Sequence, residues 1–172
     1  MQGIVDWYNS GIGTWMPREV FVLLISMIPI IELRGGIVIG GLLGMELWKC
    51  NIFCIIGNMI PIPFILLFIR RIFTWMKEKH ILEKFVNWLY KRAEKKNSKR
   101  DKGEFIFLWL FVGVPLPGTG GWTGSLIASL FEYDIKKASL AIFLGILTAA
   151  AIMDIFVYLG LGSIFGIVQT IG

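Results

Sequence analysis

Apolar residues along this 172-residue chain fall into runs of two lengths. Val20 to Ile31, Ile37 to Leu47 and Glu104 to Val114 are each about a dozen residues or fewer, and a helix needs about 20 to cross a bilayer core. Asn51 to Ile69 and Ala138 to Gly160 are long enough to span. Between the first two short runs stands Pro29-Ile30-Ile31-Glu32-Leu33-Arg34-Gly35-Gly36. Between Glu104–Val114 and a further short arm, Leu126 to Phe131, stands Pro115-Leu116-Pro117-Gly118-Thr119-Gly120-Gly121-Trp122-Thr123-Gly124-Ser125. Proline followed by glycines breaks a helix and turns the chain. The pattern therefore predicts two helical hairpins that dip into the membrane without crossing it, each followed by a spanning helix. Glu32 and Arg34 sit at the first tip.

The remaining segments fit around this frame. Residues 1–18 mix Ile4, Trp7, Tyr8 and Trp15 with glycines and polar residues, the mixture of an interfacial segment, since Trp and Tyr favour the headgroup level. Residues 19–76 form a first repeat. Residues 77–103 form the polar linker, where Ile81, Leu82, Phe85, Val86, Trp88 and Leu89 recur at helical spacing among Lys and Glu. That is an amphipathic basic helix suited to an anionic leaflet. Residues 104–160 form a second repeat, and 161–172 an apolar, glycine-rich tail. Gly57-Asn58 followed by Pro61 and Pro63 interrupts the first span. Two readings stand there: an inert kink, or a broken helix lining a cavity.

The two hairpins correspond at an offset of 86: Phe21 with Phe107, Leu24 with Leu110, Pro29 with Pro115, Gly35 with Gly121, and Glu46 with Glu132. A hairpin crosses zero times and a span once, so the second repeat begins on the side opposite the first. The expected architecture is an all-α polytopic membrane protein of two inverted repeats, an arrangement typical of secondary transporters with sites near the bilayer midplane.

Composition agrees with the class. Hydrophobic residues make up 56%, mean hydropathy is +0.72, and charged residues are 17%, against about 25% in soluble domains. Met1 to Met16 lacks the basic start of a cleavable signal, so the first membrane element is expected to remain. The net charge is +5, and ten of the 17 Lys and Arg lie between Lys77 and Lys102. Beside membrane segments the positive-inside rule accounts for this better than nucleic acid does. Arg70 through Lys102 and Lys136-Lys137 then share the cytoplasmic side of a prokaryotic plasma membrane, and Arg18 and Lys49 the other.

The tips carry the candidate chemistry. In each hairpin the returning helix begins at the tip, so its positive end points towards the midplane. Glycines 118, 120 and 121 let backbone amides approach a ligand, and glycine-rich turns form anion nests. Arg34 adds a fork-shaped cation suited to phosphate. Arg34, Gly35, Gly36, Asn58, Gly118, Thr119, Gly120 and Gly121 are the expected substrate contacts. Glu32 and Asp154 are the candidates for proton coupling, because a lone carboxylate at membrane depth is costly and must pair or protonate. Glu32 has a second reading, as the simple partner of Arg34. Cys50 and Cys54 offer too few ligands for a metal, and no cofactor is expected. Enzymatic readings lack parts: the one histidine, His80, lies in the linker, and no strand precedes the glycine-rich stretch.

The Glu32-Leu33-Arg34-Gly35-Gly36 tip and the Pro115–Gly124 motif resemble the small multi-drug export protein family, and the resemblance covers nearly the whole chain. That family is similar, at a distance, to the DedA membrane proteins, which have paired re-entrant hairpins facing each other. Some of those move polyprenyl phosphate or phospholipids with proton coupling. The resemblance matches Glu32 and Arg34 to the acid and arginine near the first DedA hairpin. DedA arginines near the second hairpin have no counterpart between Lys102 and Lys136. Together these lines lead to the expectation of a transporter or flippase for an amphiphile with an anionic head group, such as a lipid phosphate. Proton-driven export of hydrophobic cations, and a scaffold without a transport cycle, are the alternatives. Expected partners are membrane lipids, the amphiphile, protons and further copies of the chain, since two spans and two hairpins offer little shielding for broken backbone.

Overall fold

The computed structural model describes residues 2–78, 101–116 and 118–157. Every regular element among them is helical: α1 (Gln2–Ser10), a 3-10 turn (Ile12–Thr14), α2 (Arg18–Ser26), α3 (Glu32–Leu42), α4 (Leu47–Met59), α5 (Pro61–Glu78), α6 (Asp101–Gly113), α7 (Gly121–Leu130) and α8 (Ile135–Asp154). Most of the basic linker lies outside the described residues, as does the tail from residue 158.

Helices α2, α3, α6 and α7 run 9, 11, 13 and 10 residues. Pro17 precedes α2, and its fixed φ suits a helix entry. Two 23-residue stretches, Leu47–Ile69 and Ile135–Val157, are apolar and long enough to cross a membrane. Within the most apolar 18-residue window of each, only 33% and 39% of the residues are buried. Phe64, Leu67, Phe68, Leu140, Leu147, Ile155 and Phe156 stay exposed, a surface adapted to lipid rather than water. The first stretch is interrupted at Ile60. There α4 ends and α5 begins with Pro61, which has no amide hydrogen to continue the ladder.

The chain divides into two compact units, one from Met1–Ile60 with Ile146–Gly172, the other from Pro61–Gly145. In the first, α2 and α3 pack against each other and both against α4. Tyr8 stacks on Phe21 at 4.7 Å and its hydroxyl donates to Met16 O at 2.7 Å, which fastens α1 to the hairpin. Arg18 donates to Leu43 O at 2.7 Å, placing a cation on the carbonyl end of α3. In the second unit α7 packs against α5 and α6, with Ser129 Oγ donating to Leu66 O.

The same contacts recur in both units. Beyond α3 the chain turns through Leu43→Ile39, Gly44→Gly41 and Met45→Gly40 amide-to-carbonyl bonds. Beyond α7 it turns through Phe131→Ile127, Glu132→Ser129 and Tyr133→Ala128, a helix C-terminal motif repeated at an offset of 88. Gly57 of α4 abuts the Leu23 carbonyl, and Gly145 of α8 abuts the Trp109 carbonyl. Gly36 is wedged against Ser26 and Cys54, and Gly124 against Val112 and Ile142. The first arms therefore match at 86, as Leu23 with Trp109, while the returning arms and spans match at 88. The second tip, residues 114–120, is two residues longer than the first, residues 27–31. Gly36 thus pairs with Gly124, and Gly44 with Glu132, rather than Gly35 with Gly121 and Glu46 with Glu132.

Candidate functional site

Glu32 opens α3 with φ +49, a left-handed conformation that costs a non-glycine residue about 1–2 kcal/mol. Its amide donates to Ile28 O at 2.9 Å, so the tip is a continuous series of turns. The residue is only 7% exposed, in the first turn, where the helix end is partially positive. Arg34, half-buried, feels the Glu32 carboxylate electrostatically. Gly35 and Gly36 are buried behind them. Ile28, Pro29 and Ile30 project outward, Ile30 being 94% exposed.

Along α4, Asn51, Cys54 and Asn58 fall at i, i+3 and i+7, the spacing of one helical face. Asn58 and Cys54 are buried, as is Ser26 at the end of α2. Ser26 Oγ and Cys54 Sγ both crowd the place where a Cβ on Gly36 would stand, so this glycine brings the three helices together. Cys50 and Cys54 are free thiols 3.9 Å apart in the core, and among the described residues no group of three His, Cys, Asp or Glu stands ready for a metal. Asn51 Nδ2 donates to Asp154 Oδ2 at 2.7 Å. Among the described residues four buried oxygens, Ser26 Oγ, Asn51 Oδ1, Asn58 Oδ1 and Asp154 Oδ1, have no hydrogen-bond partner. Each such group costs about 1–3 kcal/mol.

The second unit has the same packing with different chemistry. Where the first unit has Ser26 and Cys54, the matching positions in the second are Val112 and Ile142, and the residue 88 positions beyond Asn58 is Ile146, all at most 1% exposed. The polar set is an addition to a shared apolar frame. In the second tip, Thr119 Oγ1 donates within the turn, towards Val114 O at 2.8 Å and Leu116 O at 2.9 Å. Its hydroxyl is committed to shaping the loop. Gly118 and Gly120 have φ +80 and +151, and Gly120 caps α7. Ser125 Oγ donates back to Gly121 O at 2.6 Å.

Glu32, Arg34, Gly35, Gly36, Asn58 and Asp154 thus belong to the first unit, and Gly118, Thr119, Gly120 and Gly121 to the second. Ser26, Asn51 and Cys54 join the first set unannounced. The helical spacing of Asn51, Cys54 and Asn58 was a usable signal for two of them. The Asn51–Asp154 contact spans 103 residues and had none.

No curated protein and no solved structure matches the chain. The sequence model of the family described as "Putative small multi-drug export protein" matches residues 32–152. That match runs from the buried acid of the first tip to within two residues of Asp154, and the chain belongs to the small multi-drug export protein family.

Proposed function

We propose that this membrane protein is a proton-coupled exporter of amphiphilic, predominantly cationic compounds. The observation that carries the reading is that two acids, buried Glu32 and half-buried Asp154, belong to one largely apolar helical unit. A carboxylate in such surroundings takes either a proton or a cationic cargo, and that exclusion is the core of an exchange cycle. The first tip favours cation over anion: Glu32 already occupies the positive end of α3, where an anionic head group would need to sit. Arg34 then sets the charge on Glu32 in the empty state.

The architecture we propose for this cycle is a pair of inverted repeats. Helices α2 with α3, and α6 with α7, are too short to cross a core that needs about 20 residues, and act as re-entrant hairpins. Leu47–Ile69 and Ile135–Val157 cross. Arg70 to Lys102 and Lys136-Lys137 face the cytoplasm of a prokaryotic cell. Exposed apolar surface on both hairpin tips is covered by lipid and by a second copy of the chain, and intact-mass measurement in nanodiscs should return a dimer or larger assembly.

Reconstituted vesicles with an imposed proton gradient test the reading. A lipophilic cationic dye should be moved by wild type and not by Glu32→Gln. A second reading, transport of an anionic amphiphile such as a lipid phosphate, draws on Arg34 being less deeply buried than Glu32. It takes over if Arg34→Ala abolishes transport of a phosphate-headed lipid while dye movement is absent from wild type.

A further inference from the structure

We propose that Asn51 and Asp154 form an acid–amide pair that holds a proton on Asp154, making this contact the site where protons enter or leave the exporter. The inference deepens the proton-coupled reading by naming the group, its partner and its resting state.

The geometry starts from one bond. Asn51 Nδ2 donates to Asp154 Oδ2 at 2.7 Å. The amide turns its NH₂ side to Asp154 Oδ2. The other oxygen of each group, Asn51 Oδ1 and Asp154 Oδ1, is buried without a donor. Two acceptors left over on one bonded pair call for a donor, which a proton on the acid would supply. A proton added to Asp154 Oδ1 makes an O–H that donates to Asn51 Oδ1. Amide and acid are then joined by two antiparallel hydrogen bonds, and both orphaned oxygens are satisfied at once. The carboxylate gains a proton and the amide changes nothing, so the step needs no other reactant.

The surroundings suit a neutral acid. Among the described residues the Cys54 thiol, on the same face of α4 as Asn51, is a titratable group close to Asp154. Lys49, two residues before Asn51 in α4, pairs with Glu46 at 3.0 Å. Immediately after Asp154 the helix widens into a π-helical turn over residues 155–157, a distortion frequent at functional sites. The register that matches the two units puts Leu66, 2% exposed, where the first unit has Asp154. The acid is therefore no requirement of the shared frame. Asn51 lies near the start of the first span and Asp154 near the end of the second. In the proposed orientation both ends are on the non-cytoplasmic side, where an inward proton gradient delivers protons.

Infrared difference spectroscopy of the purified protein in nanodiscs, in sodium-free and sodium-containing buffer, reads this directly. At neutral pH wild type should show a protonated carboxyl C=O band that disappears in Asp154→Asn. In Asn51→Leu the band should move to higher frequency, as expected for an acid that has lost its acceptor, or vanish as the proton is released. A wild-type spectrum unchanged by Asp154→Asn would overturn the proposal. So would a band present only without sodium, which would make the pair a metal-cation site. Asp154→Asn keeps the size of the side chain and can still pair with Asn51, so its fold is retained, and thermal unfolding checks this. The spectrum does not depend on cargo, so a protonated pair in a protein that moves no dye would fault the export reading alone.

Discussion

Gly57 lies so tightly against the carbonyl oxygen of Leu23 that a single methyl group at this position would collide with backbone. Backbone cannot rotate away as a side chain can, and small residues at helix contacts are how membrane helices approach closely. Gly57→Ala should lower stability by about 1–3 kcal/mol, the usual cost of overpacking, and Gly145→Ala, facing Trp109 O at 2.9 Å, by a similar amount. Thermal unfolding in detergent measures both. Gly3→Ala, with nothing within 4 Å of its added carbon, is the control that should be neutral.

Glu132 occupies a left-handed position, φ +54, in the turn after α7, where the matching turn after α3 has Gly44 at φ +67. Glu132→Gly should therefore raise stability by about 1 kcal/mol, the strain relieved when glycine takes such a site. Gly44→Ala should lower it by a comparable amount. A melting temperature that falls for Glu132→Gly would show that its side chain makes a contact worth more than the strain.

Asn58 is 1% exposed and its Oδ1 has no partner among the described residues, whereas the residue that matches it 88 positions on is the apolar Ile146. Asn58→Ile should hold or raise stability, by up to about 1–3 kcal/mol from removing an unsatisfied buried group. It should also reduce dye export, since a destabilising polar group retained in an apolar frame is the mark of a working residue. Melting and transport must be read on the same preparation, because an Asn58→Ile protein that melts higher and exports normally would make Asn58 irrelevant to the cycle.

Glu32→Gln keeps the shape of the tip and removes its negative charge. Transport of a cationic dye should drop about tenfold or more, the loss of one charge-assisted contact of about 1.5–3 kcal/mol. Arg34→Ala should instead remove the cation that faces Glu32 and change the pH profile of dye transport. An unchanged profile would separate Arg34 from the proton step.

Much of the frame was legible from the chain. The lengths of the apolar runs marked the spans, and proline with glycine marked the tips, because a bilayer fixes how long a crossing helix must be. The repeat was visible at 86 through Phe21–Phe107 and Leu24–Leu110. Its continuation at 88 was hidden, since two additional residues in the second tip shift every later match, and Gly36–Gly124 emerges only from the contacts they share. Glu32 and Arg34 announced themselves as charges in an apolar run. Asn51 did not, for its meaning depends on Asp154 arriving from the far end of the sequence. The expected amphipathic helix over 77–103 falls mostly outside the described residues.

The first compact unit is assembled from both ends of the described chain, residues up to Ile60 and those from Ile146 onward. During synthesis the N-terminal hairpin therefore waits, with Asn51 lacking its acid, until the second candidate span, Ile135–Val157, has been made. Neither half of the duplicated sequence contains a complete unit. Co-expressed halves should need each other to escape degradation, and the proposed proton site can form only once both candidate spans are in place.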